Sequence, residues 1–274
     1  MKYLDKIDTT HPEFGDLYDE IALWSAPFGL MLLDRVPMKR ELTILDVGSG
    51  TGFMTLELAQ RCGQRSTVIA VDPWAAGMRR LRRKVDYLGL ANVRLLEQDA
   101  AKLDVPDATV DLIISNLGVN NFENADAVLC ECFRVAKPGA HLFLTTNLVG
   151  HMREFYDVYR ALLVELDLAK CLQVLEAHVN HRATVESLTA QLAHAGFTIS
   201  AVITETFRVH FADGASLLRH YFIRLGFLPA WKAVVPANAV ERMFSALEAR
   251  LDALAAEHGD LTLTIPAACV EARK

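Results

Sequence analysis

A glycine-rich turn between an apolar run and an amphipathic stretch constrains the fold of this chain more than any other feature. The run Thr43–Val47 is followed directly by Gly48, Gly50 and Gly52. A short apolar run bounded by turn residues predicts a buried strand. Glycines behind such a strand allow positive φ angles and a close approach of the backbone to a ligand. A helix is predicted at Phe53–Arg61, so this part of the chain reads as the strand–turn–helix unit of ligand-binding α/β proteins.

Strand and helix patterns alternate through residues 43–147, which predicts a parallel, doubly wound sheet with right-handed crossovers. The next predicted strands are Thr67–Val71, Val93–Leu96, Val110–Ser115 and Ala140–Thr146. The predicted helices between them include Ala75–Leu88 and Asp126–Ala136. Two later strand patterns, which should join the same sheet, occupy Thr198–Phe211 and Leu261–Ala272.

These patterns divide the chain into a predicted cover and a predicted domain. Residues 1–40 read as helices and turns outside the sheet. Residues 41–274 read as one α/β domain with helical insertions at about 150–182 and 214–258. Aromatic residues are concentrated in the cover and in the second insertion, so we expect both segments to act as lids over the ligand.

Composition excludes several classes of protein. Hydrophobic residues make up 52% of the 274 residues, which is typical of a packed globular protein. The formal net charge is −6, and the densest basic stretch, residues 79–84, is interpreted as the solvated face of a helix. Nucleic-acid binding depends on neutralising phosphates, so DNA and RNA are not expected as partners.

The cysteines and the apolar runs predict a reduced, cytoplasmic setting. The five cysteines are irregularly spaced, which argues against a disulfide framework and against a zinc site. The N-terminal residues mix charges into any apolar stretch, and no apolar run has the length of about 20 residues that a membrane helix needs. We expect no membrane span and no metal.

The spacing of the turn separates two kinds of cofactor. It reads Gly-x-Gly-x-Gly rather than the Gly-x-Gly-x-x-Gly of dinucleotide sites, and Asp46 precedes the first glycine by two residues. A carboxylate at that position is unfavourable beside a pyrophosphate and favourable beside an ammonium group. S-adenosylmethionine carries an ammonium and a sulfonium and no phosphate, so it fits better than a nicotinamide dinucleotide.

Two further acids follow later strands. Asp72 ends the second predicted strand, where a carboxylate can accept hydrogen bonds from both ribose hydroxyls. NAD enzymes share that feature. Asp99 follows the third strand and could accept from an adenine amine, and the alternative is an ordinary loop carboxylate or cap.

In this order, these motifs resemble the class I S-adenosylmethionine-dependent methyltransferases, in particular the small-molecule branch of the ubiquinone/menaquinone-biosynthesis type. The resemblance covers about residues 40–147 well and the final strand loosely. It implies a Rossmann-like, mostly parallel seven-stranded sheet with an antiparallel last strand, S-adenosyl-L-methionine as methyl donor and S-adenosyl-L-homocysteine as product. The residues implied to bind the cofactor are Asp46, Gly48, Ser49, Gly50, Gly52, Asp72, Pro73, Trp74, Asp99, Ala100 and Asn116.

Departures from other branches narrow the acceptor. The fourth strand ends in Asn116-Leu-Gly-Val and lacks the prolines and aromatic residue that hold a planar amine in amino-methylating enzymes. The tips of strands four and five carry Asn116 and Asn147, where metal-dependent catechol-type enzymes need carboxylates. The expected acceptor is a small, partly apolar molecule. Its identity, the methylated atom and the choice between monomer and homodimer are left open.

Catalytic residues are harder to predict, because a positioned nucleophile can displace the sulfonium methyl without further help. Tyr18 is predicted to line the methyl path, and His151 is predicted as a general base. Ordinary packing is the alternative for Tyr18, and a surface or capping role is the alternative for His151. A nicotinamide-dependent oxidoreductase and a catalytically silent cofactor-binding module are the alternative functions.

Overall fold

A seven-stranded sheet organises the residues described by this computed structural model, which are 1–11, 13–19 and 24–274. The strands are β1 (Thr43–Val47), β2 (Thr67–Val71), β3 (Val93–Leu96), β4 (Val110–Asn116), β5 (Ala136–Asn147), β6 (Thr198–Phe211) and β7 (Leu261–Arg273). Their order across the sheet is β3-β2-β1-β4-β5-β7-β6. The order reverses between β1 and β4, which is the switch point where open α/β sheets bind ligands.

The first five strands are parallel and the last one is antiparallel, as predicted. In β1, Ile44 lies opposite Val68 on one side and Leu112 on the other. β7 runs against β5, because the Gly139 amide donates to the Lys274 carbonyl at 3.0 Å, and the Lys274 amide donates back to Ala140 at 3.1 Å. The Rossmann-like fold class predicted from sequence is confirmed.

Helices fill the connections between the strands. The helices before β6 are α1 (Phe14–Asp19), α2 (Ala26–Leu33), α3 (Phe53–Arg61), α4 (Ala75–Leu88), α5 (Ala125–Val135), α6 (Arg153–Glu165), α7 (Leu172–Val179) and α8 (Val185–His194). Those between β6 and β7 are α9 (Gly214–Arg219), α10 (Tyr221–Gly226), α11 (Leu228–Ala233) and α12 (Val240–His258). No helix in the described ranges is long and apolar enough to cross a bilayer.

One predicted boundary was wrong for an identifiable physical reason. β5 begins at Ala136 instead of Ala140, because Ala136 already pairs with Val110 before a register shift absorbs the following turn. The predicted helical insertion at 214–258 is interrupted at His220 and at Phe227. Pro229 lies in the first turn of α11, where a missing backbone N–H costs nothing.

The chain divides into two compact units. One comprises Met1–Thr9, Asn147–Ala183 and Thr206–Pro266, and we call it the aromatic unit. The other comprises Thr10–Thr146, Thr184–Glu205 and Ala267–Lys274, and we call it the turn unit. The division falls within the predicted cover, since residues 1–9 belong to one unit and residues from 10 onward to the other.

Candidate functional site

The turn after β1 is held in a conformation that side chains would block. Gly48, Gly50 and Gly52 have φ angles of 76°, 54° and 91°. A Cβ atom on Gly48 would lie 2.9 Å from the Cα of Gly118, which follows β4. A Cβ on Gly118 would in turn lie 2.5 Å from the Ser115 hydroxyl. The two turns at the ends of β1 and β4 therefore pack backbone against backbone.

Two carboxylates bracket this turn. Asp46 is 1% exposed, and its Oδ2 accepts a hydrogen bond of 2.6 Å from the Thr55 hydroxyl in α3. Asp72 accepts from the Gly50 amide through Oδ2 and from the Trp74 amide through Oδ1, both at 2.8 Å. Asp72 thus fixes the middle of the glycine turn and the start of α4 at the same time.

The acid pair has no cationic partner among the described residues. Asp46 and Asp72 form no ion pair with lysine or arginine in this part of the chain. Burial raises the pKa of Asp46 to about 7, and the charge of Asp72 adds to that rise. Burial also raises the pKa of Asp72. Uncompensated carboxylates favour a cationic ligand here and oppose a pyrophosphate.

A cluster of rings lies at the start of α4, next to Asp72. The centroid of Trp74 lies 4.9 Å from that of Tyr18 and 5.7 Å from that of Phe14, both in edge-on geometry. Burial raises the pKa of Tyr18, and Asp72 contributes to the rise. Tyr18 therefore lies on the Asp72 side of the site, so its predicted place on the methyl path stays a prediction.

Ion pairs hold α1 against α4. Asp19 accepts from Lys84 at 2.9 Å and from Arg80 at 3.1 Å, and Asp16 pairs with Arg80 and Arg83. The side chains of Arg80 and Lys84 are only 28% and 21% exposed. The interpretation of this basic stretch as a solvated face was wrong for these residues, because acids of the N-terminal segment cover them.

Asn116 connects the tip of β4 to the N-terminal segment. Its amide donates to the Ser25 carbonyl at 3.2 Å, and its Oδ1 accepts from Thr145 at 2.8 Å. The next residue, Leu117, has a φ angle of 62°, an uncommon value for a residue with a Cβ. Part of the predicted cover therefore lies at this strand tip. Residues 20–23, also within that cover, lie outside the described residues.

The remaining predicted cofactor residues have mixed surroundings. Asp99 is exposed, and its Oδ1 accepts from the Ala101 amide at 2.9 Å. Ala100 is 5% exposed and Ser49 8% exposed, whereas Pro73 is exposed. The bond to Ala101 matches the loop-cap alternative for Asp99. Its contact with adenine stays a prediction.

His151 lies in the aromatic unit and is 2% exposed. Its ring stacks on Phe227 with centroids 5.3 Å apart. Burial, together with the charges of Arg182 and His178, lowers the pKa of His151 to about 3. The imidazole is therefore neutral near pH 7 and a weak proton acceptor, and its role as general base stays a prediction.

Sequence reasoning missed two residues that shape the site. Gly118 gives the β4 turn the room to touch Gly48, and Thr55 satisfies the buried carboxylate of Asp46. A glycine two residues past Asn116 was a usable signal for the first. Thr55 gave none, because its contact depends on how α3 packs under the turn. Among the described residues, no group of His, Cys, Asp or Glu is arranged to hold a metal ion.

Comparison with known proteins matches the region that holds the glycine turn. Residues 44–139 match the family model described as a methyltransferase domain. The ubiquinone/menaquinone biosynthesis C-methyltransferase of Escherichia coli O1:K1 is 28% identical over 131 residues, which cover 46% of this chain and 52% of that protein. The chain therefore matches about half the length of this curated relative.

Solved structures match more of the chain. An S-adenosylmethionine-dependent methyltransferase from Aquifex aeolicus superposes with a TM-score of 0.54 at 24% identity, covering 72% of this chain and 93% of that one. The Haemonchus contortus phosphoethanolamine N-methyltransferase 2, in complex with S-adenosyl-L-methionine, gives a TM-score of 0.58 at 18% identity. That match covers 100% of this chain and 59% of the other.

Fold, motif and comparisons agree on the class. Residues 44–139 match a methyltransferase domain, and the chain has the fold of the class I S-adenosylmethionine-dependent methyltransferases. S-adenosyl-L-methionine, which is bound in the H. contortus structure, is the cofactor that the sequence motifs predict for this chain. The acid pair beside the glycine turn fits that cofactor, because a buried negative site without a cation suits a ligand with an ammonium and a sulfonium.

Proposed function

We propose that this chain transfers a methyl group from S-adenosyl-L-methionine to a small, partly apolar molecule. The observation that carries the proposal is the acid pair Asp46 and Asp72, which brackets the glycine turn without a cationic partner in the described part of the chain. A phosphate-bearing cofactor would meet repulsion there, whereas a cationic methyl donor is attracted.

Each side chain around the turn has a task in this proposal. Asp72 holds the turn through Gly50 and offers its remaining lone pairs to the ribose hydroxyls. Tyr18 and Trp74 enclose the adenosyl side, which excludes water from the site. Asn116 holds residue 25 over the tip of β4, where the acceptor is to enter.

The chemical step needs little from the protein beyond position. Bound S-adenosyl-L-methionine supplies an activated methyl group, which an acceptor nucleophile takes in line as the carbon–sulfur bond breaks and its electron pair stays on sulfur. Holding the two reactants in line can supply about 7–11 kcal/mol of the rate enhancement. A neutral His151 with a pKa of about 3 is poorly suited to remove a proton, so acceptors that are already nucleophilic at neutral pH are favoured.

The acceptor class rests on sequence and on relatives. The net charge of −6, and the pairing of three of the five basic residues of the stretch 79–84 with Asp16 and Asp19, argue against nucleic acid as the acceptor. The E. coli relative is named for ubiquinone and menaquinone biosynthesis, and the H. contortus neighbour for phosphoethanolamine, so both names point to small molecules. A cytoplasmic location is expected and stays a prediction.

A transfer assay tests the proposal. The protein is incubated with S-adenosyl-L-methionine labelled in the methyl group and with panels of phenols, amines, thiols, organic acids, DNA and RNA. We expect label in at least one small molecule and none in nucleic acid, with Gly48→Ala as the inactive control. Methyl incorporation into nucleic acid contradicts the proposed acceptor. Tight binding of S-adenosyl-L-homocysteine without transfer to any acceptor favours the silent cofactor-binding module.

A further inference from the structure

Arg182 differs from the other partly buried arginines of the aromatic unit. Arg160 pairs with Glu176 and Asp157, and Arg224 donates to the backbone carbonyls of Tyr3 and Asp5. Arg182 is half-buried, yet no carboxylate among the described residues pairs with it, and its side chain donates no hydrogen bond to them. Its guanidinium carbon lies 5.8 Å from the centroid of the Phe227 ring.

The side chains that interact electrostatically with this guanidinium include Tyr156, His151 and His178, and no carboxylate of the described residues pairs with it. The Tyr156 hydroxyl lies 3.1 Å from His178 Nε2 and accepts from the indole N–H of Trp231 at 3.1 Å. His151 stacks on the same Phe227 ring that Arg182 approaches. Burial and the charge of Arg182 lower the pKa of both histidines, so both are neutral near pH 7.

A guanidinium shielded from water is costly unless an anion meets it. Its planar fork of N–H donors matches the two oxygens of a carboxylate. Since Arg182 carries a single positive charge, a monoanion neutralises it, whereas a phosphate dianion leaves an excess negative charge. A carboxylate therefore fits the site better than a phosphate.

We propose that Arg182 binds the carboxylate of a small organic acid, whose apolar part lies against Phe222 and Phe227. Phe227 is 5% exposed, whereas Phe222 is half-buried and its ring centroid lies 5.7 Å from that of Phe227, so Phe222 supplies the exposed part of the apolar surface. Binding of the acid stands on this cluster.

Calorimetry with paired probes tests the site. The intact protein is titrated at pH 7 with phenylacetate and octanoate, with the two matching amides, and with phenyl phosphate. We expect the carboxylates to bind and the amides to bind at least about tenfold more weakly, because the amides lack the charge. Phenyl phosphate is expected to bind more weakly than phenylacetate. The reverse order overturns the assignment of a carboxylate.

Substitutions locate the binding. Arg182→Gln is expected to weaken the binding of phenylacetate by about 10- to 100-fold, to the affinity of the matching amide. Arg182→Lys is expected to weaken it less, because lysine keeps the positive charge. Arg250→Gln is the matched control, since Arg250 is an exposed arginine of the same unit paired with Glu165. It should leave the dissociation constant within about twofold.

Melting temperature and cofactor binding distinguish a carboxylate site from a structural arginine. The melting temperature of Arg182→Gln should hold or rise, because an unpaired charge has been removed; a fall assigns Arg182 a structural role and overturns the proposal. Binding of S-adenosyl-L-homocysteine should be unchanged in Arg182→Gln. If the wild type does not bind S-adenosyl-L-homocysteine, the proposed function is contradicted, whereas the proposed carboxylate site is unaffected. Absence of carboxylate binding to the wild type, or equal binding of acid and amide, overturns the carboxylate site.

Discussion

The two units of this chain bury charge of opposite sign. In the turn unit, Asp46 and Asp72 lie beside the glycine turn without a cation among the described residues. In the aromatic unit, Arg182 lies over Phe227 without a carboxylate among those residues. Other partly buried charges of the two units are paired, such as Asp19 with Lys84 and Arg160 with Glu176. A partly buried charge without an ion-pair partner thus indicates a ligand of opposite charge.

This contrast assigns separate tasks to the two units. In our proposal, the acids of the turn unit bind a cationic methyl donor. Arg182 of the aromatic unit binds an anionic ligand, and buried rings stabilise that unit. Substitutions in either unit, and changes of pH, can test this division of tasks.

Trp231→Ala should cause the largest loss of stability. Trp231 is fully buried, its ring stacks on Phe155 at 3.9 Å between centroids, and its carbonyl accepts from Tyr159. Removing a buried aromatic ring costs about 3–5 kcal/mol of the free energy of unfolding, which denaturant titration measures. Trp231→Phe keeps most of the ring and should cost about 1 kcal/mol, through the lost bond to Tyr156. Equal stability of the wild type, Trp231→Ala and Trp231→Phe would show that the Trp231 ring does not stabilise the aromatic unit.

Gly48→Ala should weaken the binding of S-adenosyl-L-homocysteine by roughly 100-fold. The added Cβ would sit on a residue with a positive φ angle and would clash with the backbone of Gly118. Gly63→Ala is the matched control. Its φ angle is 73°, against 76° for Gly48, and no described atom lies within 4 Å of its added Cβ. Calorimetry on both folded variants separates backbone strain from loss of the turn. Similar dissociation constants would mean that the contact with Gly118 does not matter.

The acid pair should make stability depend on pH. The folded pKa of Asp46 is about 7, above the ordinary value of 3.8, so the native state holds the proton more tightly than the unfolded state. This stabilisation is fully present below about pH 4 and is lost as pH rises toward 7. The free energy of unfolding without ligand should fall by about 1–2 kcal/mol between about pH 5 and pH 7.5.

Asp46→Asn is the control for that dependence. The variant should be more stable than the wild type at about pH 7.5 by a larger margin than at about pH 5, because the amide cannot ionise. S-adenosyl-L-homocysteine should reduce the margin, since its ammonium group favours the ionised carboxylate. If the free energy of unfolding depends on pH in the same way for both proteins, the pKa of Asp46 is not raised in the folded state.

Tyr18→Ala should have the smallest effect of this series. The ring packs edge-on against Trp74, and such a pair contributes about 0.5–1.5 kcal/mol. Its loss corresponds to a roughly two- to tenfold higher dissociation constant for S-adenosyl-L-homocysteine. Tyr18→Phe keeps the ring and should bind normally. If Tyr18 instead lines the methyl path, kcat will fall in Tyr18→Ala while the dissociation constant stays unchanged.

The turn unit was more predictable from sequence than the aromatic unit. The bounds of β1, β2, β3, α3 and α4 agree with the prediction because each depends on local periodicity and on glycine stops. The glycine turn and its acids lie within one short segment or at a strand end, so spacing indicates that they converge. Their individual contacts with the cofactor remain predictions.

Other features had no local signal. Arg182 approaches Phe227 across 45 residues of sequence, and Asn116 bonds to Ser25 across 91. The fifth strand began early because a register shift, rather than propensity, decides its start. Such contacts depend on how helices pack, and helix packing is not encoded in the spacing of any one segment.

The central claim is that the unpaired acids at the glycine turn select a cationic methyl donor over a pyrophosphate. One experiment measures this selection. The wild-type protein is titrated calorimetrically with S-adenosyl-L-homocysteine and with NAD, at the same pH and salt concentration. We expect saturable binding of S-adenosyl-L-homocysteine at one site and no detectable heat from NAD. Saturable binding of NAD without any response to S-adenosyl-L-homocysteine would contradict the role given to Asp46 and Asp72.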